Sequence, residues 1–287
     1  MKKYTKTEII FGAHGFLGSN LRQHLEQSGK AVISLPVDML MNTVALHKQF
    51  LQYQPYKLYY LATYGNLNGQ NNIWEMYQAA IIKLLNVLEA TENTDCQAIL
   101  TAGTTSEYGN KTEPMTEDML LDPETFYGAA KTAATHLAQV WAKRNNASII
   151  VFRPASITGV GEQSIHLIPT LIRSCVLGKP MPFAPDYVHD YIDVRDVCSA
   201  LEILTDNANK HKGEIFNIGS GIQYANLAVK EMIEQITGKT ASIDEAIKLY
   251  SQNVSAVWIA DSTKMRSLGW KPKYPLRQTL KDMVKTI

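Results

Sequence analysis

The chain has 287 residues, 45% of them apolar and 19% charged, with a formal charge of +1 at neutral pH. That length can build one large domain or two modest ones, each with its own core, and the near-zero charge leaves no electrostatic footprint for nucleic acid. Three widely spaced cysteines, Cys96, Cys175 and Cys198, form no Cys-x-x-Cys pair and have no histidine set beside them, so buried thiols in a reducing compartment are expected and a metal site is not.

Behind two N-terminal lysines the apolar run is only Ile9, Ile10 and Phe11 before Gly12, too short for a signal peptide. The longest greasy stretch, AAIIKLLNVL, is interrupted by Lys83 and falls short of a membrane span. A cytoplasmic protein with no membrane partner is therefore expected.

In chain order, TEIIFG reads as a strand ending at Gly12, and Phe16, Leu17, Leu21 and Leu25 then recur at helical spacing. Gly29 stops that helix and KAVISL follows as a second strand, completing a β-α-β unit of about thirty residues. The turn between strand and helix carries Gly12, Gly15 and Gly18, a GxxGxxG spacing. Glycine there lets backbone approach a pyrophosphate, which the unpaired N–H groups of the helix N-terminus can hold. KLYYLAT then reads as a strand, 72 to 92 as a helix, CQAILTAG as a strand, 125 to 145 as a long helix and ASIIVFRP as another strand. Strands alternating with helices predict an α/β fold with a doubly wound parallel sheet of Rossmann type, whose ligands sit beyond the carboxyl ends of the strands.

Two segments at such places carry chemistry. TAGTTSEYG, residues 101 to 109, leaves a strand end with several hydroxyls, and YGAAK opens the long helix with Tyr127 and Lys131 four residues apart on one face. An ammonium one turn away is expected to stabilise the Tyr127 phenolate and lower its pKa from about 10 toward neutrality, making it a usable acid or base.

With GAHGFLG, PYKLYYLAT, TTSEYG, YGAAK, FRPASITGVG, DYIDVRDV, GEIFNIGSG and ADSTKMRSLGWKP in view, the sequence resembles extended short-chain dehydrogenase/reductases of the nucleotide-sugar epimerase/dehydratase family over nearly its whole length. The resemblance implies a dinucleotide-binding domain over residues 1 to 155, to which 190 to 218 return, and a smaller substrate-binding domain over 156 to 287. It implies NAD or NADP as cofactor, held by Gly12, Gly15, Phe16, Leu17, Gly18, Leu61, Ala62, Tyr127 and Lys131. Tyr127 is then the proton donor or acceptor, Lys131 holds the nicotinamide ribose, and Thr104, four residues before Tyr108, supplies the third catalytic hydroxyl with Thr105 as fallback. A homodimer packed through 72 to 92 and 125 to 145 is implied as well.

The sequence also departs from its relatives. Where NAD-binding members usually end the second strand in an acidic residue, Pro36 stands, and Asp38 matches a downstream aspartate that meets the adenine. His14 is a candidate for a 2′-phosphate. Dehydratases place acidic residues just after the catalytic threonine, whereas Thr105 and Ser106 stand here, both taken as substrate contacts. TTSEYG instead resembles the matching segment of sugar 4-keto reductases. An arginine that many relatives use for the substrate diphosphate is His189, leaving Arg266, Arg173 and Lys179 as further candidates. The expected activity is NAD(P)-dependent reduction of a nucleotide-activated 4-keto-deoxysugar, with 4-epimerisation and non-catalytic dinucleotide sensing as alternatives.

Overall fold

The structure, a computed structural model, describes residues 6–67, 69–92, 94–244 and 256–286, so the two N-terminal lysines lie outside the described residues. Strand β1 (Thr7–Phe11) is buried along its whole length, as expected of a parallel strand covered on both faces. Helix α1 (Phe16–Gln27) returns the chain to β2 (Ala31–Leu35). A short 3₁₀ turn (Val37–Met41) and α2 (Thr43–Tyr53) lead to β3 (Pro55–Tyr60). Asn42 caps α2 by accepting the Ala45 N–H at 3.0 Å.

The helix expected over 72 to 92 is built from α3 (Ile73–Tyr77), one π turn (Gln78–Ile82) and α4 (Lys83–Thr91). Strand β4 (Ala98–Ala102) ends in the 3₁₀ turn Thr105–Glu107, and α5 (Phe126–Asn145), capped by Thr125 on the Gly128 N–H, leads to β5 (Ile149–Pro154). Beyond these lie β6 (Ser156–Thr158), α6 (Leu167–Leu177), β7 (Val188–Asp193), α7 (Val194–Asn207), β8 (Ile215–Ile218), β9 (Gln223–Ala225), α8 (Asn226–Thr237), α9 (Thr263–Ser267) and α10 (Leu276–Val284).

Six strands form one sheet in the order β2-β1-β3-β4-β5-β8, and β1 to β5 pair in parallel. From β1 the chain moves first to β2 on one side and then to β3 on the other. The switch point of this doubly wound α/β sheet therefore lies between β1 and β3, where such sheets open a crevice at their carboxyl ends. Phe11 pairs with both Leu35 and Tyr60, so the turns after β1, β2 and β3 leave the sheet on the same edge.

The chain divides into two compact units. One comprises Met1–Gly109, Leu120–Arg153 and Cys198–Phe216; the other comprises Asn110–Met119, Pro154–Val197 and Asn217–Ile287. In the first, Ile9, Phe11, Leu58, Ile99 and Val151 of the strands join one core with Leu46, Phe50, Leu84, Leu88 and Ala138 of the helices. In the second, Ile168, Leu171, Ile172, Val229, Ile233 and Leu280 hold α6, α8 and α10 together. No helix among the described residues is long and apolar enough to cross a membrane.

Candidate active site

The glycine turn after β1 divides its labour. Gly12 has φ +91, a left-handed conformation that side chains resist, and the Leu61 and Ala62 backbone stands 3.0 Å from where its Cβ would be. The Leu61 N–H also donates to the Phe11 carbonyl at 3.0 Å, which fastens the end of β3 to that of β1. Gly18 faces inward, where a Cβ would run into the Gly12 carbonyl. Gly15 differs from both. It is exposed, has an ordinary φ of −74°, and its Cβ would meet only the Gly12 carbonyl oxygen at 3.3 Å.

Gly15 caps α1 without a side chain, and no acidic residue occupies the first turn. The N–H groups of Phe16, Leu17 and Gly18 begin the helix without a capping side chain, at the positive end of a twelve-residue dipole. A dinucleotide pyrophosphate fits this cradle chemically. Asp38 is exposed in the 3₁₀ turn after β2, Leu61 and Ala62 follow β3, and His14 is exposed in the glycine turn.

Beyond β4, Thr104 holds an extended conformation and caps the 3₁₀ turn, its Oγ1 accepting the Ser106 N–H at 3.2 Å. Thr105 is buried, whereas Thr104 and Ser106 are partly exposed. The first turn of α5 packs on this segment so closely that a Cβ on Gly128 would stand 2.6 Å from the Ser106 carbonyl oxygen. That contact sets Tyr127, the residue before it, among the strand ends. The hydroxyls of Thr104 and Thr63 lie within hydrogen-bonding reach of its phenol. Thr63 was not among the expected residues; KLYYLAT marks it as the last residue of a strand segment, but nothing local pairs it with Tyr127.

Contrary to what their spacing predicts, Lys131 does not depress the pKa of the Tyr127 phenol. Lys131 Nζ lies 5.9 Å from the Tyr127 ring centroid and donates to the Ala102 carbonyl at 2.9 Å. Desolvation dominates at the phenol, with the charge of Glu107 adding to it, and pushes Tyr127 up to about 12 instead of toward neutrality. Burial also pulls the Lys131 ammonium down to about 8, against the opposing pull of Glu107. At neutral pH the pair is a phenol beside an ammonium.

Glu107 itself is wholly buried and ion-paired to the equally buried Arg153 at 2.7 Å, with Thr135 Oγ1 donating to the same carboxylate oxygen at 2.8 Å. All of these groups belong to the first unit.

His189 and Arg266 belong to the second. His189 on β7 has its Nδ1 3.3 Å from Ser156 Oγ and its ring 5.4 Å from that of Tyr191, and burial lowers its pKa to about 4. It is a neutral hydrogen-bonding group at pH 7. Arg266 on α9 is exposed and donates to the Ser220 carbonyl at 3.0 Å. Arg173 bonds to the Ser164 carbonyl and Lys179 is exposed.

A bare helix N-terminus, a half-buried phenol and a buried ammonium gather in the first unit, a set suited to a dinucleotide-linked enzyme. The model of the NAD dependent epimerase/dehydratase family matches residues 9–219, and the chain belongs to that family. It is 28% identical over 201 residues to the low-salt glycan biosynthesis protein Agl12 of Haloferax volcanii, covering 69% of this chain and 64% of that protein, short of two thirds of its length. It is 28% identical over 262 residues to a dTDP-glucose 4,6-dehydratase of Haemophilus influenzae, covering 82% of this chain and 77% of that one. Among solved structures it resembles the UDP-glucose 4-epimerase of Thermus thermophilus in complex with NAD, with a TM-score of 0.87, 18% identity, and 97% and 98% of the two chains covered.

Proposed function

We propose that this protein uses NADH to reduce the 4-keto group of a nucleotide-activated deoxysugar, with NAD as the oxidised product, supplying precursors for a surface polysaccharide or glycoside. The observation that carries the reading is the Tyr127 phenol, kept protonated at neutral pH beside the Thr104 hydroxyl and one helical turn from Lys131. When bound, NADH supplies the hydride.

Tyr127 and Thr104 hydrogen-bond to the ketone oxygen and orient it, and Tyr127 delivers the proton as the alkoxide develops. Lys131 offers a positive charge to that region and a donor to a ribose hydroxyl. Gly15 and the α1 N-terminus receive the cofactor pyrophosphate, and Asp38, Leu61 and Ala62 line its adenosine side.

Water elimination is disfavoured by the turn after β4, because it needs a further acid and base. Thr105 and Ser106 cannot serve, and the Glu107 carboxylate is sealed against Arg153.

A second reading, 4-epimerisation with retained NAD, uses the same residues and is favoured by the epimerases among the structural relatives. The two are separated by incubating the protein with a panel of nucleotide sugars and their 4-keto forms while following nicotinamide absorbance and product identity. Stoichiometric NADH consumption supports the reductase, and isomerised sugar without net consumption supports the epimerase. No turnover of any nucleotide sugar under either regime overturns both.

A homodimer is part of the proposal. Helices α3 and α5 expose Ile73, Trp74, Phe126 and Val140, an apolar surface suited to pairing with a second copy.

A further inference from the structure

We propose that Glu107 is a positioning residue of this site: its buried carboxylate locks the turn that carries the Thr104 hydroxyl and sets a negative charge facing the Tyr127–Lys131 pair. The proposal rests on the reading of Thr104, Tyr127 and Lys131 as the reacting groups.

The geometry is specific. Glu107 Oε1 accepts the Thr104 backbone N–H at 2.9 Å, while Oε2 accepts Arg153 Nε at 3.0 Å, Arg153 Nη2 at 2.7 Å and Thr135 Oγ1 at 2.8 Å. Together with Thr104 Oγ1 on the Ser106 N–H, this closes a capping box around the turn, so the Thr104 side chain leaves the strand end at a fixed angle. The preceding residue makes room for it, since a Cβ on Gly103 would lie 2.5 Å from Glu107 Oε1. Arg153 is held from its other side by the Tyr108 ring, 4.6 Å from its guanidinium carbon.

A wholly buried ion pair is an expensive way to stabilise a turn, and apolar residues of similar volume often do better. What such filling cannot supply is the charge. Glu107 from the turn is the charge that acts on the Tyr127 phenol; Lys131 of its own helix lies 5.9 Å from the ring centroid, Thr63 and Thr104 present neutral hydroxyls, and Arg153 on β5 faces Glu107 and Tyr108. Glu107 favours the proton-bearing form of both partners, phenol and ammonium, which is the form a proton donor needs.

The test is Glu107→Gln, which keeps the shape but loses the charge, and whose single oxygen cannot accept from both the Thr104 N–H and Arg153. The pair-deleting Glu107→Gln/Arg153→Met variant stands in where the lone buried guanidinium prevents folding. The first readout is the near-ultraviolet phenolate titration of each protein minus its Tyr127→Phe counterpart, which isolates Tyr127. It needs neither cofactor nor sugar, so it remains decisive even where the assignment of the sugar reaction fails.

Loss of the charge moves the Tyr127 midpoint to lower pH. Turnover falls by about a hundredfold with substrate KM little changed, because the Thr104 hydroxyl is misplaced and not deleted. Glu107→Asp, which keeps the charge but withdraws it from the Thr104 N–H, restores the midpoint without restoring kcat. A folded Glu107→Gln or pair-deleted protein with the wild-type Tyr127 midpoint and wild-type kcat overturns the proposal.

Discussion

Replacing Gly15 with valine tests the dinucleotide cradle without disturbing the turn that forms it. The backbone at Gly15, φ −74° and ψ 170°, is one that valine adopts freely, and the new Cβ would meet only the Gly12 carbonyl oxygen at 3.3 Å, relieved by a shift of a few tenths of an ångström. The side chain then stands over the start of α1, where the pyrophosphate is placed. Two N–H bonds to phosphate, each about 1.5–3 kcal/mol because the acceptor is charged, would be lost, about 3–6 kcal/mol in all. At about 1.4 kcal/mol per tenfold, that weakens binding by roughly two to four orders of magnitude. Calorimetric titration with NADH and NADPH, alongside circular dichroism, reads both affinity and fold. Gly18→Ala is the internal contrast: its Cβ collides with the Gly12 carbonyl, so it lowers thermal stability by about 1–3 kcal/mol whether or not a ligand is present. A folded Gly15→Val protein with undiminished NADH affinity would refute the cradle assignment.

Tyr127→Phe is expected to abolish turnover while calorimetry shows near-normal NADH affinity, because only the proton-handling hydroxyl is removed; equal loss of affinity contradicts that role. The Lys131 ammonium, depressed to about 8 by burial, is fully present below that pH and lost above it, so kcat/KM should hold steady through neutrality and fall as pH rises through about 8. A profile without that limb, in a protein whose Lys131→Ala variant binds NADH normally, removes both tasks assigned to the lysine. Thr104→Val should cost one to three orders of magnitude more activity than Thr105→Val, roughly the worth of a positioned donor, since Thr105 is buried and it is Thr104 whose hydroxyl reaches the phenol; steady-state kinetics showing the reverse ranking would reassign the hydroxyl. Light scattering should report a dimer for the wild type and a monomer for Trp74→Glu/Phe126→Glu, and a wild-type monomer at micromolar concentration would end the dimer proposal.

Local pattern made the sheet legible. The TEIIFG strand, the glycine turn and the periodic Leu21 and Leu25 carry their information within a few residues of each other, and so does the Tyr127 to Lys131 spacing on α5. The rest depends on partners distant in the chain. Helix α2 buries only Leu46 and Phe50, a sparse apolar signal, and the π turn inside the helical stretch from 72 to 92 leaves no mark in composition. Glu107 sits inconspicuously in a hydroxyl-rich run, because its meaning comes from Arg153, 46 residues onward. The expected depression of the Tyr127 pKa failed for a similar reason. Spacing shows that an ammonium is one turn away, but not that its proton is directed to the Ala102 carbonyl while burial and Glu107 govern the phenol.

If Tyr127 and Thr104 present a sugar C4 oxygen to a nicotinamide held over the β1 and β3 strand ends, hydride passes directly from nicotinamide C4 to sugar C4. Isotope transfer tests it most directly, using NADH deuterated at nicotinamide C4, a nucleotide-linked 4-keto-deoxysugar, and mass spectrometry and NMR of the product. One deuteron is expected at sugar C4 for each NADH consumed, from one face of the nicotinamide only, with none transferred by Tyr127→Phe. Reduced sugar that carries no deuterium at C4, or label transferred equally well by Tyr127→Phe, would contradict it.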